Sequence, residues 1–146
     1  MTEPLTFLFL RDLDKLIGEI NQYPTEESIW LLSGDVKNSG GTLSLHLAGN
    51  LQHFIGAQLG SSGYVRDRDY EFSARNVPKS QLIQEVEKAK EVIKNVIPKL
   101  TDEQLKKEFP GQIPIEATTE GFLLHLYNHL GYHLGQVNYH RRLLAI

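Results

Sequence analysis

Apolar residues recur at intervals of three and four along most of the chain, the period of helices with one buried face. Between Leu5 and about Tyr23 the stripe runs through Phe7, Leu10, Leu13, Leu16, Ile17 and Ile20, and Pro24 ends it. Thr25 to Trp30 predicts a short helical turn, and the turn-rich run from Ser33 to Gly41 predicts a loop. A second helix is expected to begin between Ser39 and Thr42 and to reach about Leu59, carried by Leu43, Leu47, Leu51, Phe54 and Ile55. Gly60-Ser-Ser-Gly63 breaks that period. Pro78 suits the first turn of a third helix, and Leu82, Val86, Ala89, Val92, Ile93 and Val96 extend it to Pro98. Thr101 to Thr118 contains Phe109-Pro-Gly-Gln-Ile-Pro114, which predicts a connection with one short helical piece. Thr118 or Thr119 then caps a fourth helix that runs to the end of the chain, with Glu120 in its first turn. Four helices and no strand make the expected fold class all-α.

The totals remove several function classes. A length of 146 residues predicts one domain, 1–146, with a core of its own. The 40% hydrophobic and 23% charged residues are ordinary globular values, which argues against disorder. No apolar run approaches the roughly 20 residues that span a bilayer, so no membrane crossing is expected. Met1-Thr-Glu-Pro lacks the basic and apolar segments of an export signal, and a cytoplasmic location is expected. There is no cysteine, so any metal must be held by nitrogen and oxygen. A net charge of −3, without a basic stripe on any helix, gives no footprint for nucleic acid.

Against this plain background the histidines stand out. Four of the six fall between His125 and His140. His125, His129 and His133 are spaced by four, which sets them one above another on a helix face and lets two imidazoles grip one ion. His46-Leu-Ala-Gly-Asn50-Leu-Gln-His53 puts further histidines on the second helix, so a site between helices is expected. Leu130 follows His129 where the zinc-protease signature requires glutamate, which excludes that reading. Neutral imidazoles leave an ion its full charge and open positions, the pattern of catalytic metal sites. The block Arg66-Asp-Arg-Asp-Tyr-Glu71 predicts a solvated, self-paired loop. Its functional alternative is a rim that offers Arg66 or Arg68 to an anionic substrate.

His46-Leu-Ala-Gly-Asn50, the Arg66–Phe72 segment and His129-x-x-x-His133-x-Gly135-Gln136 together resemble the DinB-like superfamily of metal-binding bundles, over nearly the whole length. The resemblance implies a four-helix bundle, up-down-down-up, with a long crossover between helices two and three, commonly a homodimer. It also implies one divalent ion on His46, His129 and His133, zinc or nickel first, with manganese or iron as alternatives. Characterised members include thiol-dependent transferases and isomerases. The expected function is therefore activation of a water or a low-molecular-weight thiol for attack on a small electrophile, as in a thiol transferase or hydrolase. The alternatives are a non-catalytic, dimeric bundle that binds a metal or ligand, and histidines that merely line the bundle.

The other residues take supporting expectations. Asn50 orients a ligand or a water, Gln136 hydrogen-bonds within the bundle, and Gly135 permits close helix approach. His53 belongs to the helix surface or the edge of the site, and His125 is a structural residue, with an interface or the surroundings of the ligands as its functional alternative. Tyr127 and Tyr132 are packing residues, with a proton donor as the functional alternative for a tyrosine near the metal. His140, beside Arg141 and Arg142, is expected to be exposed near the end of the last helix. The first helix carries Leu5, Phe7, Leu8, Phe9 and Leu10 in close succession, more apolar circumference than one buried face needs, and is where a partner surface is expected.

Overall fold

The computed structural model describes all residues, 1–146, and contains helices without strands. Helix α1, Thr2–Gln22, buries Leu5, Phe9, Leu13, Leu16 and Ile20 and ends at Tyr23, ahead of the proline. A 3-10 turn, Ser28–Trp30, follows where it was expected, held by reciprocal hydrogen bonds between Thr25 and Ser28. Helix α2, Gly40–Leu51, is capped by Ser39, whose Oγ accepts from the Thr42 amide at 3.2 Å. All twelve of its residues are buried. Beyond Leu51 the helix continues to Leu59 in π geometry, which the apolar period does not reveal.

The charged block is not a plain loop. Asp67 caps a short helix, α3, Arg68–Ser73, by accepting from the Tyr70 amide at 3.0 Å. Helix α4, Lys79–Val96, matches the third expected helix and runs into a 3-10 turn, Ile97–Lys99. The predicted short piece is α5, Asp102–Lys106, closed by a capping box between Thr101 and Gln104. Helix α6, Thr119–Leu144, is capped by Thr118 Oγ1, which accepts from the Gly121 amide at 3.0 Å.

The four long helices α1, α2, α4 and α6 enclose one continuous apolar core. α1 packs on α4 and α6, and α2 packs on the same two from the other side. α6 carries Phe122, Leu123, Leu126, Leu130 and Val137 into that core. Its other faces remain for polar chemistry. The carboxyl-terminal half of α6 meets Tyr23, the Leu31 carbonyl and the start of α2 at Gly40, and this overturns one expectation. His140 is 6% exposed, not on the surface: its Nδ1 lies 2.7 Å from Tyr23 Oη and its Nε2 donates to the Leu31 carbonyl at 2.8 Å. Burial pushes its pKa below the usual imidazole value, partly opposed by the Leu31 bond, so it is not a helix-end cation. Gly135 is corrected too, since a Cβ there would meet nothing within 4 Å and no neighbour approaches.

Candidate metal centre

His46 comes from the buried helix α2 and His129 and His133 from successive turns of α6, so the packing of α2 on α6 brings the three rings together. Their ring centroids are 5.0 Å apart for His46 and His129, 5.3 Å for His46 and His133, and 4.5 Å for His129 and His133. One nitrogen of each lies within 4.8 Å of the others. A tetrahedral ion about 2.0–2.1 Å from its imidazole nitrogens would hold them roughly 3.4 Å apart, so a small closure of this cluster suffices. These three histidines can bind a metal.

Hydrogen bonds fix which nitrogen faces inward. A carboxylate only accepts, so His46 Nδ1, 3.1 Å from Glu71 Oε1, carries the proton and Nε2 keeps its lone pair. That Nε2 faces His129 Nε2 at 3.1 Å. His133 Nδ1 donates to Gln136 Oε1 at 2.7 Å, which leaves its Nε2 as a lone pair as well. Two rings are thus held by an oxygen acceptor on the far nitrogen, the support that metal-binding histidines require. His129 differs: its Nδ1 is buried without a hydrogen-bond partner.

Glu71 is itself gripped. Arg66 Nε and Nη2 donate to its two oxygens at 2.8 and 2.9 Å, and the side chains of the pair are 10% and 5% exposed. Burial would raise the Glu71 pKa, but the hydrogen bonds from His46 and Arg66 and the Arg66 charge hold it below the usual carboxylate range. Gly49, one turn along α2, has no side chain where Glu71 sits; a Cβ would run into its carboxylate. His129 is pushed to about 4 by burial, reinforced by its histidine neighbours and by Arg66. Burial also lowers His133, partly opposed by Gln136. Both are neutral lone-pair donors near pH 7.

A model of the family described as protein of unknown function (DUF1572) matches residues 9–145. The chain belongs to that family. No curated protein and no solved structure matches it.

In this DUF1572 chain the remaining predicted residues divide. Asn50 is buried one turn beyond His46, and its Oδ1 has no partner. Arg68 is exposed, with its guanidinium carbon 4.9 Å over the Phe72 ring, which in turn lies 4.8 Å from the His46 ring. His53 sits in the π segment and pairs through Nε2 with Gln58 five residues on. That five-residue reach belongs to the wider π turn and draws His53 into local pairing, outside the cluster of three. His125 is exposed and stacks on Phe122. Tyr132 is 64% exposed beside His133, not a packing residue, and lies at the edge of an open groove between α1 and α6. Tyr127 does pack, edge-on to Phe9, and its hydroxyl donates to Asp12 at 2.9 Å while Arg11 donates to it at 3.0 Å.

Sequence reasoning gave Glu71 and Gly49 no role. The only signal was the alternating charge block, in which Asp67 also reads as a helix cap and Glu71 as a partner for Arg66.

Proposed function

We propose that His46, His129 and His133 hold one divalent transition-metal ion, and that the protein is a metal-dependent enzyme using water or a low-molecular-weight thiol against a small electrophile. The observation that carries this reading is the pair of inward lone pairs, each enforced by an acceptor behind its ring: Glu71 behind His46 and Gln136 behind His133. An ion on three neutral imidazoles keeps its charge and free positions, and when bound supplies a Lewis acid that polarises an electrophile and makes water or thiol acidic. Glu71, clamped by Arg66, keeps the His46 ring in one tautomer. Burial keeps His129 unprotonated near neutral pH. Zinc or nickel is the expected ion, with manganese or iron accepted by the same donors.

Several broader proposals follow from the DinB-like resemblance. Helices α1, α2, α4 and α6 make an up-down-down-up bundle of one domain, 1–146, with residues 60–78 as the crossover; the packing of α1 and α2 on the same two neighbours supports this. The protein is a cytoplasmic homodimer. Phe7, 64% exposed on α1, supports a partner surface there. No helix is long and apolar enough to cross a membrane.

A second reading, a non-catalytic metal- or ligand-binding bundle, is favoured by one observation: none of the larger clefts is lined by the three histidines. Elemental mass spectrometry of tag-free protein tests the common premise. About one transition-metal ion per chain, lost in His129→Ala, supports the site. Turnover of a thiol with an electrophile, or hydrolysis, then separates enzyme from bundle; no metal in the wild type after loading removes both metal readings.

A further inference from the structure

Two arginines lie near the histidines in opposite conditions. Arg66 is spent on Glu71, and the two charges cancel. Arg68 forms no ion pair; it rests on the outer ring of an aromatic stack that leads through Phe72 to His46. A cation–π contact restrains a guanidinium while leaving its N–H edge for an acceptor in the same plane. The other cations nearby are engaged. Arg75 donates to the carbonyls of Phe72 and Ala74, and Lys88 pairs with Glu85.

The charges select a ligand class. Three neutral imidazoles and a cancelled Arg66–Glu71 pair provide no counter-charge for a dication, so its free positions favour an anionic donor. Beyond Phe72 a second positive centre waits at Arg68. Its neighbours Asp67, which caps α3, and the exposed Asp69 weaken the field there. One guanidinium between two carboxylates suits a monoanion and not a phosphate dianion, and its fork matches a planar carboxylate.

We infer, resting on the metal reading above, that Arg68 is a substrate-binding residue and that the site takes a small molecule with a thiol or similar donor at one end and a carboxylate at the other. The donor end goes to the three histidines' ion and the carboxylate to Arg68, with Phe72 between them.

Calorimetric titration of zinc-loaded protein with N-acetylcysteine and with N-acetylcysteamine tests this, because the second has the same thiol and acetamide but no carboxylate. N-acetylcysteine should bind about tenfold more tightly, the worth of one charge-assisted bidentate contact. Arg68→Ala should remove that preference by weakening N-acetylcysteine alone, with zinc stoichiometry and N-acetylcysteamine affinity unchanged. Arg68→Lys, which keeps the charge without the fork, should fall between. Equal affinities in the zinc-loaded wild type, or a preference that survives Arg68→Ala, overturn the inference and leave the metal reading standing. A protein that takes up no zinc, or takes it up equally after His129→Ala, overturns the metal reading and the inference with it. Should Arg68→Ala not fold, Arg68→Gln, which keeps a side chain over Phe72 but not the charge, takes its place and should lose the preference in the same way.

Discussion

Gly49 and Glu71 make one unit, because the carboxylate occupies the space a Cβ would fill. Glu71→Gln keeps that shape but loses the charge that draws in Arg66 and favours the proton on His46 Nδ1. Metal affinity should fall by about 10–100-fold, the usual effect of losing a group behind a ligand, with helical content unchanged. Gly49→Ala should lower affinity as well, by displacing Glu71; a metal titration of both variants checks this, and unchanged affinity in Glu71→Gln would show His46 to be positioned without it. His129 and His133 were legible because a four-residue spacing is local, although that spacing offered His125 equally; His46 joined them only through the family resemblance. Glu71 was not legible, since its contact with His46 spans 25 residues and depends on a glycine whose reason lies outside its own helix. His140 was misread for the same cause: proximity to the chain end suggested exposure, whereas Tyr23 and Leu31, 117 and 109 residues away, close over it. That burial has a pH signature. The folded pKa of His140 lies below its ordinary 6.5, so under that pH the unfolded chain binds more protons. Its stabilisation is therefore complete above about pH 6.5 and is lost as pH falls toward the lowered folded value. Thermal melts from pH 7.5 to 5 should show wild type losing more stability than His140→Gln, and parallel curves would contradict the assignment.

At the scale of elements, α2 shows why the helices could be read and their surroundings could not. The three-four period marks any helix with an apolar face, and all four long helices lie where it put them. It cannot distinguish α from π geometry over Gln52–Leu59, because apolar residues remain on the inner side in both. Nor does it see α3, whose six residues are shorter than two turns and half of them charged. Caps were better guides, as at Ser39 and Thr118. What anchors the start of α2 is close approach. A Cβ on Gly41 would lie 2.7 Å from three atoms of the Trp30 ring, and one on Gly40 would strike the Tyr23 hydroxyl and crowd His140 Nδ1 at 3.3 Å. Gly40→Ala and Gly41→Ala should each destabilise by about 1–3 kcal/mol, the range for overpacking a core. Gly131→Ala and Gly135→Ala, with open space around them, should be neutral or slightly stabilising because alanine is the better helix former. Denaturant melts of the four variants would separate the two pairs, and a uniform response would mean that the contacts at Trp30 and Tyr23 relax freely.

The whole molecule couples the site to folding. His46 and His129 lie 83 residues apart in sequence and meet only when α2 has packed on α6. An ion on all three histidines therefore favours the folded state over a chain that cannot assemble the ligands. With free metal at a hundred times its dissociation constant, the native state gains about 2.7 kcal/mol. For a chain of this size that corresponds to a rise in melting temperature of several degrees. The rise should be reversed by a chelator and absent in His46→Ala, His129→Ala and His133→Ala alike. The three variants need not match without metal. His46→Ala leaves the buried Glu71 with Arg66 as its only partner, whereas His133→Ala removes a ring whose bond goes to the exposed Gln136. The metal-free melts should therefore rank His46→Ala as the more damaging. If all three variants kept the full metal-induced rise, the ion would be bound elsewhere on the surface and the convergence of α2 and α6 would be packing alone.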